Sequence, residues 1–243
     1  MGEALFWGAA GSSSLVIGGL LALRVRIGSL LLGLIMAFGT GVLISAVAYE
    51  LVEEAFRTSS GSGTVALGLA CGSLTFFAGD TFIDRMGGAG RKRSSGGQAS
   101  GTALAIVLGT VLDGIPESIV LGLTILTGDG VSAAMMVAVF LSNLPESIAA
   151  TVGLSSSGWA AARIVGLWLL VTAVAGLAAL AGYALLDTAS PRTVAFVLSF
   201  AGGAILTMLA DTMMPEAFEN SGRLVGVVTT LGFALAFAIS SFE

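Results

Sequence analysis

The amino-acid sequence predicts an all-α membrane protein of eight transmembrane helices. They form inverted repeats, helices 1–3 against 6–8 and helix 4 against helix 5. Three observations carry that expectation. Charged residues make up only 10 % of the 243 residues, hydrophobic ones 56 %, and mean hydropathy is +1.00; a soluble domain carries about a quarter charged residues. Apolar stretches near the ~20 residues that cross a bilayer recur along the whole chain. Two pairs of those stretches share motifs that align without gaps.

The apolar stretches fall at 5–23, 30–52, 64–83, 102–126, 131–154, 159–186, 193–214 and 224–241. The first follows Met1-Gly2-Glu3, with no basic segment before it, so it is expected to be a retained helix rather than a cleaved signal. Basic residues set the expected orientation. Arg24, Arg26, Arg85, Arg91, Lys92, Arg93, Arg163 and Arg223 fall on one side, and only Arg57 and Arg192 on the other. The positive-inside rule then puts the eight in the cytoplasm and both termini outside. The expected organisation is one transmembrane domain, 1–243, in the cell membrane. Segment 84–101, rich in Gly, Ser and basic residues, is its flexible cytoplasmic loop.

Composition excludes several classes. A net charge of −5 and no large basic surface argue against nucleic-acid binding. Cys71 is the single cysteine, so there is no intrachain disulfide, and there is no histidine. Among 35 glycines, Gly68 and Gly72 form a GxxxG pair that is expected to let two helices approach closely.

The repeats come next. Ile115-Pro116-Glu117-Ser118-Ile119 in span 4 recurs as Leu144-Pro145-Glu146-Ser147-Ile148 in span 5, 29 residues on. Span 2 from Gly41 to Phe56 aligns without gaps on span 7 from Gly203 to Phe218, ending in Glu-Ala-Phe both times. Each pair runs in opposite directions through the bilayer. Inverted repeats around a midplane site are a transporter arrangement.

The chemistry follows from what the repeats carry. Asp113 and Glu117 are four apart and Asn143 and Glu146 three apart, so each pair shares a helix face. Pro116 and Pro145 cannot donate to the carbonyls of Leu112 and Leu141. Carboxylates within a membrane are costly unless partnered, and neither span holds a Lys or Arg to neutralise them. A bound divalent cation resolves the conflict. The all-oxygen donor set suits Mg²⁺, Mn²⁺ or Fe²⁺ as well as Zn²⁺. At the mouths, Asp80 and Asp84 end span 3 and Asp211 and Glu216 end span 7 on the cytoplasmic side, while Glu50, Glu53 and Glu54 end span 2 outside. Such acidic vestibules concentrate cations.

These residues resemble the ZIP (Zrt/Irt-like) family of divalent-metal transporters over nearly the whole chain. The family's helix-4 motif, His-Asn-x-Pro-Glu-Gly, is matched by Asp113, Gly114, Pro116, Glu117 and Ser118. Its helix-5 metal positions match Ser142, Asn143 and Glu146. Its helix-2 run, His-Leu-x-Pro-Glu-Ala, resembles the stretch holding Tyr49, Leu51 and Glu53-Glu54-Ala55. The resemblance implies alternating access, with helices 1, 4, 5 and 6 moving against 2, 3, 7 and 8, and a homodimer. Asp113 and Gly114 replace the family's His and Asn, which implies one principal metal site.

The expected function is therefore uptake of a divalent cation (Zn, Mn, Fe or Cd), held by Asp113, Glu117, Ser142, Asn143 and Glu146 and received by Asp211 with Asp80 or Asp84. The metal is cargo; no tightly bound cofactor and no enzymatic activity are expected. Partners are the ion and the bilayer. The rival of the same fold is a non-transporting intramembrane metal or pH sensor. An intramembrane aspartyl protease would need two aspartates on facing helices, and span 5 supplies only Glu146.

Overall fold

The computed structural model describes residues 1–59, 61–88, 103–126 and 131–242. Among them the chain forms eight helices and no strand. These are α1 (Gly2–Arg24), α2 (Ser29–Thr58), α3 (Ser62–Ile83), α4 (Ala103–Thr124), α5 (Ala133–Ser156), α6 (Ala161–Leu186), α7 (Pro191–Ser221) and α8 (Leu224–Ser240). Seven are long and apolar enough to cross a membrane. The eighth, α8, has 17 residues, the lower end of the ~17–25 that span a bilayer. The architecture is that of a multi-pass membrane protein.

Local chemistry sets several boundaries. Ser132 accepts from the Met135 N–H at the start of α5, and Ser190 from Thr193 at the start of α7. Such caps satisfy amides that have no partner within the helix. Pro191 then occupies the first turn, where a missing N–H costs nothing. Gly222, at φ 57, turns the chain from α7 into α8.

Helices α2 and α7 run further than the expected spans 30–52 and 193–214. Each opens into a π-helical segment, Val47–Glu53 in α2 and Leu209–Met213 in α7, and then returns to α-helix. The acids expected at helix ends, Glu50, Glu53 and Glu54 in α2 and Asp211 and Glu216 in α7, thus lie inside continuous helices. A third π turn, Asp84–Gly88, closes α3. Most of the 84–101 loop lies outside the described residues.

The helices pack as two groups of four. In one, α1 packs on α5 and α6, and α4 on α6; in the other, α3 packs along α7 and α8 along α2. Glycines make these seams tight. A methyl group on Gly72 would collide with the Phe200 carbonyl, and one on Gly203 with that of Leu69, so α3 and α7 touch backbone to backbone. Likewise Gly41 meets the Thr229 carbonyl and Gly232 the Phe38 carbonyl. Gly68, the other half of the GxxxG pair, abuts Ser199.

These contacts are the repeat made visible. Phe38 and Gly41 correspond to Phe200 and Gly203 at a spacing of 162 residues, and the π segments begin at Val47 and Leu209, again 162 apart. The α3–α7 seam is therefore reproduced as the α8–α2 seam.

Two kinds of glycine should respond oppositely to substitution. Gly72→Val and Gly41→Val force apart backbones in contact and should destabilise by about 1–3 kcal/mol, the usual cost of overpacking. Gly166, in α6, has open space where its Cβ would stand, so Gly166→Ala should stabilise by about 0.4–1 kcal/mol through the unfolded chain. Thermal unfolding of the purified protein in detergent checks both signs.

Candidate metal centre

Pro116 and Pro145 sit inside α4 and α5 without ending either helix. Each leaves the carbonyl four residues earlier without its helical donor. At Leu141 that carbonyl faces α2: a Cβ on Gly39 would stand 3.0 Å from its oxygen. Glycine at 39 thus seats α2 directly on the weakened turn of α5.

Glu117 and Asn143 are each 3 % exposed or less. Glu117 accepts from the Ser142 hydroxyl at 3.2 Å and the Asn143 amide at 3.4 Å. These bonds cross from α5 to α4 and satisfy a charge that hydrocarbon would otherwise penalise. The two positions that donate to Glu117, Ser142 and Asn143, correspond in the repeat to Asp113 and Gly114. So where Glu117 faces a hydroxyl and an amide, its counterpart Glu146 shares a cavity with a second carboxylate, Asp113.

That cavity lies on the seam between the two helix groups and measures about 20 Å³. It has room for one water-sized guest. Thr110 and Asp113 of α4 and Ser142 and Glu146 of α5 form one wall. Met208, Thr212, Met213 and Glu216 of α7 and Met36 of α2 line the rest. Ser142 belongs both to the cavity and to the Glu117 network. Among the described residues, no three His, Cys, Asp or Glu side chains stand close enough to hold a metal by themselves. A guest must also draw on the hydroxyls, the thioethers or water.

Five expected residues, Asp113, Glu117, Ser142, Asn143 and Glu146, therefore meet at one place. Asp211 does not. It is exposed in a groove of about 610 Å³ between α3 and α7, beside Ser73 and Thr207. Asp80 and Asp84 are half-buried near the end of α3 and do not line the cavity. The acid that reaches the cavity from α7 is Glu216, only 6 % exposed. Its sequence signal was Pro215-Glu216, a third Pro-Glu pair in a chain with four prolines. Thr110 and Thr212 carried no such signal.

Glu50 lines a different space, a vestibule of about 670 Å³ at the end bearing the termini. Glu53, Glu54 and Arg57 line it too, and Glu50 accepts from Ser240 of α8 at 2.6 Å. In the repeat, Glu50 and Glu54 are the counterparts of Thr212 and Glu216, 162 residues apart. Equivalent positions thus face an open vestibule at one end and a tight cavity at the other.

No protein-family model and no curated protein matches this chain.

The Glu117 network is open to a double-mutant cycle. Asn143→Ala removes one donor from a buried carboxylate and should lower stability by about 1–3 kcal/mol. In a Glu117→Leu background the same change should cost clearly less, since the acceptor is gone. Equal losses in both backgrounds would separate Asn143 from Glu117.

Proposed function

We propose that this chain is a ZIP-like transporter that carries a divalent metal cation into the cytoplasm by alternating access. The observation that carries the reading is the shared cavity of Asp113, Glu146 and Glu216 on the seam between two helix groups. Three carboxylates around so small a space repel one another unless a cation or protons intervene. No Lys or Arg lies in α4 or α5, and a divalent cation matches the charge and the oxygen donors.

The two ends of the molecule support the rest. An ion entering at the termini end meets the acidic vestibule of Glu50, Glu53 and Glu54. Acidic walls raise the local cation concentration. Beyond the motif the cavity is narrow, with Met36, Met213 and Ala149 among its lining residues. Because the repeat equates these two regions, an exchange of their shapes would open the path to the other side. That exchange is how inverted repeats give alternating access. By the positive-inside rule the narrow end is expected to face the cytoplasm, and transport is proposed to run inward.

Uptake by proteoliposomes is the test. Mn²⁺ or Zn²⁺ should enter liposomes holding the intact chain, and Glu146→Gln and Asp113→Asn should each abolish entry. Binding without uptake would make the protein a sensor; neither binding nor uptake would remove the metal reading.

Orientation is checked separately. With Cys71→Ser as background, a cysteine at the exposed Ala160 should react with impermeant thiol reagent only from the cytoplasm. A cysteine at the exposed Thr188 should react only from outside. Reversed labelling would overturn this topology.

A further inference from the structure

Three methionines line the cavity among its acids and hydroxyls. Met36 and Met208 are each 3 % exposed, Met213 is 8 % exposed, and all three line the space that holds Asp113 and Glu146. Their placement is one-sided. At the 162-residue spacing, Met36 corresponds to Leu198, Met208 to Ala46 and Met213 to Leu51. The half of the molecule that opens into the vestibule uses hydrocarbon where the half around the cavity uses sulfur. Packing alone asks only for an apolar side chain of about the right volume; in the other half Leu corresponds to Met36 and Met213, and Ala to Met208. The carboxylates do not form a complete cage among the described residues, so further donors are needed to close a coordination shell.

We propose that Met208 and Met213 of α7 are specificity-determining residues that bias this cavity toward thiophilic cations such as Cd²⁺ over hard ones such as Mn²⁺. The inference rests on the metal-transport reading of the same site. The carboxylates supply charge that any divalent ion accepts. A thioether is a soft, polarisable donor, favourable to soft and borderline ions and of little use to hard ones. With no histidine in the chain and Cys71 on α3 away from the cavity, methionine is the one soft donor the cavity wall contains. Two methionines five residues apart sit at the end of the α-helical part of α7 and within its π segment.

The test uses the full chain in detergent or nanodiscs, with Cd²⁺ and Mn²⁺ as probes. X-ray absorption of the Cd²⁺-loaded wild type should show sulfur at bonding distance, a readout that needs no variant. In Met208→Leu/Met213→Leu, which preserves side-chain volume, that sulfur signal should fall. The ratio of Cd²⁺ to Mn²⁺ affinity, by titration calorimetry, should drop roughly tenfold, the lower end of what losing a group that tunes a metal site costs. An all-oxygen environment around Cd²⁺ in the wild type, or an unchanged affinity ratio in the double variant, would overturn the role of the methionines while leaving the transporter reading intact. Failure of the wild type to bind either ion, or binding that survives Glu146→Gln, would overturn the site itself.

Discussion

A carboxylate at hydrocarbon depth cannot be left facing lipid without a cost of several kcal/mol. This chain brings Asp113, Glu117, Glu146 and Glu216 to one seam. The rest of the structure follows from shielding them. Lipid tails offer helices no hydrophobic reason to associate, so close packing and polar contacts must hold the bundle. Individual van der Waals contacts contribute only about 0.1–0.2 kcal/mol each, and many must be made at once. Hence the glycine seams: Gly72 against Phe200, Gly203 against Leu69, Gly41 against Thr229 and Gly232 against Phe38 draw four helices into backbone contact. Across the seam, where Gly39 of α2 sits against the Leu141 carbonyl of α5, the polar cavity measures only about 20 Å³.

The repeat supplies the template, and its broken symmetry supplies the chemistry. Two Pro-Glu segments place two glutamates in corresponding positions, yet their surroundings differ. Glu117 is held by a hydroxyl and an amide, hydrogen bonds that fix the carboxylate where it stands. Glu146 lines a cavity with Asp113, which holds the repeat position of Ser142. A symmetric motif with Asn at both positions would tie down both glutamates in the same way. The Asp113-Gly114 pair makes the two sides chemically different.

Much of this was legible in the sequence, because two periodicities coincide there. Hydropathy marked eight spans, and the Pro-Glu and Glu-Ala-Phe matches marked the internal pairing before any packing was known. The five motif residues from Asp113 to Glu146 were readable because three- and four-residue spacings hold along an unbroken α-helix, and α4 and α5 remain α-helical through their prolines. What was not legible was the partner wall. Met36, Thr110 and Thr212 carry no pattern that distinguishes a cavity lining from an ordinary apolar or weakly polar face. Their role appears only when four helices are assembled.

Asp211 and Glu216 show a second reason for misreading, and it bears on how α7 works. Five residues apart, they would be about 140° apart around a regular α-helix at roughly 100° per residue. The π segment Leu209–Met213 begins just before Asp211 and adds residues to the turn, shifting the helix face that follows. Upstream periodicity therefore does not predict which downstream side chain points inward. Asp211 turns to the outer groove and Glu216 to the cavity. Helix α2 carries its π segment at the same place in the repeat, just before Glu54. Single π turns concentrate at functional sites because they loosen the hydrogen-bond ladder while keeping the helix continuous. In both helices that looser turn separates the glycine-packed part from the part bearing the acid. A helix so divided could hold its seam fixed while its acidic segment turns, the kind of motion that the proposed alternating access would ask of the vestibule of Glu54 and the cavity of Glu216.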